Sequence, residues 1–291
     1  MAGLTLGQIL DFLAAPFVAS LILTGIHSYL GVHVVERGVI FIDLSLAQIA
    51  ALGATIAVLL PFSAGDPHAP SVYWVSLLFT FIGAAIFSMI RGKSSRIPQE
   101  AIIGISYAVA SAAAILAMSK STSESEHLKD MLVGNILAVS WHEVGKTALL
   151  YGAVGAFHYI FRKQFLTISM NHNDAESTGL NVRWWDFLFY ASFGFVVTSS
   201  VAIAGVLLVF CYLIVPSVAA MLFADTIGKR LAIGWTMGTI VSALGVYLSL
   251  ILDLPTGATI VCTFGCVLIL MAIVRAIIPR RAAPQVGFRA A

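Results

Sequence analysis

The chain has 291 residues, of which 59% are hydrophobic and only 10% are charged, and its formal net charge is +2. At a mean hydropathy of +0.97, a soluble globule of this length would leave large apolar surfaces in water, and the small net charge gives no reason to expect nucleic-acid binding. The composition therefore predicts an all-α fold, a polytopic membrane helix bundle, with membrane lipid as its surroundings.

Nine segments are apolar and long enough to cross a hydrocarbon core of about 30 Å. They are residues 10–32, 39–61, 72–90, 100–118, 143–161, 186–204, 206–224, 231–252 and 256–278. Little chain remains for anything else, so residues 1–291 are predicted to form a single transmembrane domain. The sixth and seventh segments meet at Gly205 with almost no loop, which leaves a count of eight or nine transmembrane helices open.

The basic residues predict the orientation, because cytoplasmic loops are enriched in Lys and Arg. If nine spans alternate and the N-terminus is outside, 13 of the 16 Lys and Arg fall on one side. The remaining three are Lys120, Lys129 and Lys146. The first residues lack the positive region of a cleavable signal peptide, so they are predicted to stay in the mature protein.

The sequence does not predict an enzyme. No GxxxxGK[ST] phosphate-binding loop is present, so ATP hydrolysis is expected on a separate subunit. The stretch that begins at His142 and Glu143 resembles the zinc motif HExxH, but Lys146 occupies the position of the second histidine. The pattern GxSxG is absent as well.

The first two spans carry polar groups that are costly at membrane depth and that mark a pathway or a partner. If the turn between these spans centres near Arg37, His27 returns at the depth of Gln48, and His33 at that of Asp43. These two pairs are predicted to form two stations for a divalent cation. Alternatively, Asp43 pairs with Arg37 or caps a helix, while His27 and Gln48 form hydrogen bonds between helices.

Other positions in the spans point to packing and bending. Glu36 and Arg37 are predicted on the cytoplasmic surface, and His158 and Tyr212 are predicted to form hydrogen bonds between helices. Gly234 and Gly238 form a GxxxG face suited to close helix contact. Pro216 removes a backbone hydrogen bond within its span. It is therefore a hinge, a cavity lining or a tolerated kink, and Gly205 is the second candidate hinge.

The polar segment between the fifth and sixth spans predicts a docking element. Residues 173–179, NDAESTG, have an N-cap residue, acidic residues in the first turn and a closing glycine, which is the pattern of a short capped helix. A helix of this kind on the cytoplasmic face is more than a simple connection needs. An ordinary surface helix remains the alternative.

Five stretches together resemble the permease subunit of ABC transporters for zinc, manganese and iron. They are LGVHVVERGVIFIDLSLAQIAALG (30–53), VGNILAVSWHEV (133–144), DAESTGLNVRWWDFLFY (174–190), AIAGVLLVFCYLIVPSVAAMLFA (202–224) and DLPTGATIVC (253–262). The resemblance runs over residues 20–278. It implies import of a metal ion by alternating access, with no covalently bound cofactor.

The resemblance also implies partners. These are a second permease copy in a homodimer, a cytoplasmic ATP-binding subunit that binds ATP, and an extracytoplasmic metal-binding protein. The setting it implies is the inner (plasma) membrane of a prokaryotic cell. In this family a cytoplasmic coupling helix follows the fifth span and contacts the ATPase, which would be residues 172–181 here. The coupling residues would be Asp174, Glu176, Gly179 and Leu180.

The sequence departs from the family at its expected metal ligands. Members carry Gly-Asp-x-Leu-x-His at the start of the second span, and the Asp and His positions are Leu44 and Gln48 in this chain. Asp43 occupies the glycine position, about 100° away around the helix. Asp43 and His27, with Gln48 and His33, are therefore the candidate replacements. Two alternatives remain, a permease for a metal chelate or cobalamin-like molecule, and a self-sufficient secondary cation carrier.

Overall fold

The computed structural model describes residues 6–61, 69–90, 97–119, 136–170 and 179–278, and in these ranges it is helical and contains no strand. This confirms the all-α prediction. The helices are α1 (Leu6–Glu36), α2 (Ile42–Leu59), α3 (Pro70–Ile90), α4 (Gln99–Met118), α5 (Trp141–Ile160), α6 (Arg162–Met170), α7 (Val182–Met221), α8 (Ile227–Leu252) and α9 (Thr256–Ile277), with a short 3₁₀ turn at Ile136–Ala138.

Seven of the described helices are long and apolar enough to cross a membrane, so the chain is a multi-pass membrane protein. Helix α7 has 40 residues, about 60 Å if straight, which is twice the thickness of the hydrocarbon core. Helix α5 has 20 residues but is less apolar. The nine predicted segments correspond to these seven helices when α7 is counted as two arms and α5 is included.

Gly205 divides α7 into a first arm (182–204) and a second arm (206–221). It is the one residue within α7 with a non-helical backbone, at φ 74° and ψ 160°. This combination of angles is open almost exclusively to glycine, because any side chain at that position is strained. The break lies at the boundary that the sequence placed between the sixth and seventh segments.

The two arms run in opposite directions relative to α1. In the first arm Asp186 contacts Arg37, just beyond the end of α1, and Ser200 contacts His27, ten residues earlier. The first arm is therefore antiparallel to α1. Helix α8 starts at the same end of the bundle, since Arg230 contacts the last residue of α1. The second arm must return the chain to that end before α8 begins.

Substituting Gly205 with alanine tests the break. A Cβ forced into this backbone conformation costs about 1–3 kcal/mol, so we expect Gly205→Ala to lower the unfolding temperature of the detergent-solubilised protein. Gly265→Ala in α9 is the control, because a Cβ at Gly265 meets no atom within 4 Å. Equal unfolding temperatures for the two variants would contradict the structural role of Gly205.

Helix α7 is the centre of the bundle. Helix α1 packs mainly on α7, α8 and α5, whereas α2 packs on α3, α4 and α7. Large side chains of α7 fill the interior, among them Tyr190, Phe193 and Tyr212, which are fully buried. The predicted glycine face of α8 packs on α1, with Gly234 opposite Ser28 and Gly238 opposite Thr24. The first two spans, α1 and α2, therefore have different main partners, whereas the consecutive helices α2 and α3 pack side by side, as do α8 and α9.

Most described basic residues lie at one end of the bundle, which we call the basic end. It contains the C-termini of α1, α5 and α9 and the N-termini of α7 and α8. Its basic residues are Arg37, Arg162, Lys163, Arg183, Lys229, Arg230 and Arg275. Lys146 lies near the start of α5, toward the opposite end. The alternation of helix directions thus agrees with the charge sorting predicted from the sequence.

Candidate functional site

His27 is fully buried and uses both ring nitrogens. Its Nδ1 lies 2.8 Å from the carbonyl oxygen of Leu23, and its Nε2 lies 3.1 Å from Ser200 Oγ. A carbonyl oxygen can only accept, so Nδ1 carries the hydrogen and Nε2 presents its lone pair toward Ser200. This is the interhelical hydrogen bond that the alternative interpretation allowed. A histidine whose Nδ1–H is fixed by a carbonyl also has the orientation of a metal ligand, and that role stays a prediction.

His33 is held in a different way. Its Nδ1 lies 2.8 Å from Ser169 Oγ, and the same oxygen accepts a hydrogen bond of 2.8 Å from Arg37 Nε. Ser169 Oγ has one hydrogen and a second lone pair left for His33 Nδ1, so these contacts are compatible with either tautomer of His33. Among the described residues, Nε2 has no hydrogen-bond partner. The role of His33 as a cation ligand stays a prediction.

Asp43 is the unusual acid of the bundle. It lies in the first turn of α2, is 1% exposed, and among the described residues neither carboxylate oxygen has a hydrogen-bond partner. The helix N-terminus favours negative charge there, but no side-chain capping bond is formed. Arg37 pairs with Asp186 instead. The alternative in which Asp43 pairs with Arg37 is therefore wrong.

The residues of the two predicted stations do not contact each other directly, and their role as cation ligands stays a prediction. Across the described ranges, no hydrogen bond or ion pair joins His27 to Gln48 or His33 to Asp43. In the same ranges, no three His, Cys, Asp or Glu side chains lie together as a metal site. The prediction assumed that α1 and α2 pack against each other. Instead, His33 forms a hydrogen bond to Ser169 of α6 and His27 forms one to Ser200 of α7, whereas α2 packs mainly on α3 and α4.

Arg37 was predicted on the surface, and this prediction is wrong. Its side chain and that of Asp186 have no exposed area, and Arg37 Nη1 donates to Asp186 Oδ1 at 2.6 Å. The guanidinium also lies 4.0 Å from the centre of the Phe189 ring. A buried cation requires such partners. Glu36 is partly buried and pairs with Arg230, so it is not a free surface residue either.

Comparison with known proteins agrees with this architecture. A family model described as the ABC 3 transport family matches residues 9–275. The chain belongs to the ABC 3 transport family. MntC of Listeria innocua, a manganese transport system membrane protein, is 31% identical over 188 residues, 62% of this chain and 67% of that protein. YfeC of Yersinia pestis, a chelated iron transport system membrane protein, is 26% identical over 200 residues, 69% of this chain and 66% of that protein.

A solved structure shows the same fold. The structure of PsaBC from Streptococcus pneumoniae in complex with Fab superimposes with a TM-score of 0.75 at 22% sequence identity. The match covers 92% of this chain and 95% of the other. At this level of identity the likeness concerns the fold alone.

Four residues that the sequence analysis did not single out form polar contacts between helices, three of them with α1 or with Arg37 after it. Asp186 binds Arg37 and Ser169 binds His33. Ser200 contacts His27, and Ser192 contacts His158 Nε2 at 2.8 Å. The predicted interhelical roles of His158 and Tyr212 are confirmed, since the Tyr212 hydroxyl also accepts a hydrogen bond from Ser242 at 3.2 Å. Isolated serines in apolar helices carry no signal of their own, so only the tertiary structure reveals these pairs.

The segment expected to dock the ATPase is only partly within the described residues. Asp174 and Glu176 lie outside them. Gly179 has a φ of 73°, the left-handed conformation of a residue that ends a helix. Leu180 follows it, and the side chain of Asn181 then caps α7 by accepting a hydrogen bond of 3.2 Å from the Trp184 backbone N–H. The coupling role of the segment stays a prediction.

Pro216 lies inside the second arm of α7, and the helix continues on both sides of it. It packs against Gly234 of α8. The next residue, Ser217, donates to the carbonyl oxygen of Leu213 at 2.9 Å and reaches that of Ser28 at 3.3 Å. Hydroxyl groups often compensate in this way for the irregular backbone around a membrane proline. A hinge at Pro216 or at Gly205 stays a prediction.

A groove of about 530 Å³ opens between α1, α5 and α8. It is lined by small residues, Gly25, Gly152 and Gly155, and by aromatic residues that include Tyr29 and Trp235. Most residues of α5 between Trp141 and Ile160 are exposed, and these exposed positions form the outer side of the helix, next to the groove. This face belongs to the least apolar of the crossing-length helices.

Proposed function

We propose that this chain is the permease subunit of an ABC transporter that imports a divalent transition metal ion by alternating access. The observation that carries the proposal is the match to the ABC 3 transport family over residues 9–275. The relatives named for manganese and for chelated iron make these two metals the first candidates, and zinc belongs in the same test. The setting would be the inner membrane of a prokaryotic cell.

Asp43 is the residue we propose to contact the ion. A buried carboxylate with no partner among the described residues is unfavourable in hydrocarbon, and a passing cation would compensate its charge. Gln48 points about 140° away from Asp43 around α2, so the two side chains cannot hold one ion from the same helix face. The remaining ligands would be water, because His27 lies on α1, which does not pack beside α2.

The energy source would be a cytoplasmic ATP-binding subunit docked at the basic end. Cytoplasmic loops are the ones rich in Lys and Arg, and in the sequence residues 172–181 connect α6 to α7, two helices whose facing ends lie at the basic end. Asp174, Glu176, Gly179 and Leu180 are the proposed contact residues. An extracytoplasmic metal-binding protein would deliver the ion at the opposite end.

A second copy of the chain would cover the groove and the outer face of α5. This face combines polar side chains, such as His142 and Lys146, with small residues, such as Gly152, and lipid tails suit the polar groups poorly. Small residues allow helices to approach closely, which is the main source of helix association in membranes. A homodimer built on α5 would also place two permease copies around one pathway.

Transport assays in proteoliposomes test the proposal. The chain would be reconstituted with its ATP-binding subunit. Uptake of manganese, iron and zinc would be measured with ATP inside the vesicles, with ATP outside them, and without ATP. We expect uptake of at least one free ion that depends both on ATP and on the second subunit. Uptake without the ATP-binding subunit would indicate a secondary carrier. Uptake of a chelate with no uptake of free ion would indicate the larger substrate class.

A further inference from the structure

Arg37 is the centre of a buried cluster that joins three helices at the basic end. We call Arg37, Ser169, Asp186 and Phe189 the Arg37 cluster. Arg37 follows α1, Ser169 belongs to the last turn of α6, and Asp186 and Phe189 belong to the start of α7. The guanidinium uses Nε for Ser169 and Nη1 for Asp186, and its face lies over Phe189.

The position of these contacts along the chain is informative. Ser169 is just before the proposed docking segment and Asp186 is just after it. The described residues on both sides of the docking segment therefore contact the same guanidinium. A displacement of either end of the segment acts directly on Arg37, and hence on the end of α1.

The contacts of α1 continue the connection toward the bundle centre. Ser169 also binds His33, one turn before Arg37. Two turns before Arg37, the Tyr29 hydroxyl lies 3.3 Å from His158 Nδ1. His27 then contacts Ser200 of the first α7 arm. Polar contacts thus tie α1 to α5, α6 and α7 along much of its second half.

We propose that Arg37 is a positioning residue that couples the docking segment to α1, so that movement of the ATP-binding subunit changes the arrangement of the transmembrane helices. This inference rests on the proposed function. Arginine suits the role because its planar guanidinium group holds two partners in fixed directions. The single ammonium group of lysine cannot do this. Because breaking a buried ion pair is strongly unfavourable, the three helices move together at this point rather than separately.

The neighbouring ion pair supplies a matched control. Glu36 is adjacent to Arg37 in sequence and binds Arg230 of α8. Both side chains of that pair are partly exposed, at 25% and 14%, and neither flanks the docking segment. If any ion pair at the end of α1 had the same effect, loss of the Glu36 pair would match loss of the Arg37 cluster.

The first test variant is Arg37→Lys, which retains the positive charge and removes the planar guanidinium group. The second is Ser169→Ala, which retains the ion pair and removes the bridging hydroxyl. The measured quantity is the number of manganese or iron ions imported per ATP hydrolysed by the reconstituted transporter. We expect both variants to bind the ATP-binding subunit and to hydrolyse ATP at a rate within about twofold of wild type. The number of ions imported per ATP is expected to fall by about threefold or more, which is within the range for residues that couple two sites.

A merely structural role predicts a different pattern, because loss of folded protein lowers transport and ATP hydrolysis in proportion and leaves their ratio unchanged. An unchanged ratio in both variants would overturn the inference, and so would an equal fall in Glu36→Gln. If Arg37→Lys does not fold, Ser169→Ala decides. Absence of ATP-dependent uptake by the wild type would count against the proposed function itself, whereas wild-type uptake with unchanged variants counts against the Arg37 cluster alone.

Discussion

Replacing Gly31 with alanine is expected to lower the free energy of unfolding by about 3 kcal/mol or more, at the upper end for overpacked sites. A Cβ on Gly31 would lie 1.9 Å from the carbonyl oxygen of Leu213 and 2.4 Å from Ser217 Oγ. The nearer atom belongs to the backbone of the second α7 arm, which cannot turn away as a side chain does. Helices α1 and α7 would have to separate.

Thermal and denaturant unfolding of the protein in detergent would measure this effect. Gly104→Ala in α4 is the control, because a Cβ at Gly104 has no atom within 4 Å. Alanine is favoured over glycine within a helix by about 1 kcal/mol, so the control is expected to be neutral or slightly more stable. Equal stabilities of the two variants would show that α1 and α7 do not approach as closely as Gly31 indicates.

The sequence was sufficient for those features that depend on short stretches of chain. Long apolar runs predicted the spans, and the junction of two runs at Gly205 predicted the break in α7. The charge pattern predicted which helix ends lie together. Each of these follows from local composition, from a backbone preference or from the bilayer, none of which requires knowledge of distant neighbours.

The candidate site was less predictable because it depends on which helices pack together. The sequence analysis placed α2 beside α1, and on that basis it paired His27 with Gln48 and His33 with Asp43. In the structure α1 packs mainly on α7, α8 and α5, and α2 packs mainly on α3 and α4, a choice of partners that no local stretch of sequence indicates. Arg37 was assigned to the surface for a related reason, since its partner Asp186 is 149 residues away in the chain.

The same isosteric change at two buried acids is expected to have opposite effects on stability. Asp186→Asn removes the charge that compensates Arg37, and loss of one partner of a buried ion pair costs about 3–5 kcal/mol. Asp43→Asn removes a carboxylate that has no hydrogen-bond partner among the described residues. We expect Asp43→Asn to leave the free energy of unfolding unchanged or to raise it by about 1–2 kcal/mol, the scale of an unsatisfied buried group.

Transport by Asp43→Asn is expected to fall although the protein is at least as stable. If Asp43 contacts the ion, the loss of its charge should lower manganese or iron uptake by about tenfold or more, comparable with changes around metal ligands. The measurement is initial uptake in proteoliposomes at equal amounts of folded transporter, with Asp186→Asn as the matched variant. An acid with no functional role predicts unchanged uptake in Asp43→Asn. An unfavourable buried carboxylate retained only by chance would then be the simpler explanation, and the ion pathway would have to be sought elsewhere in the bundle.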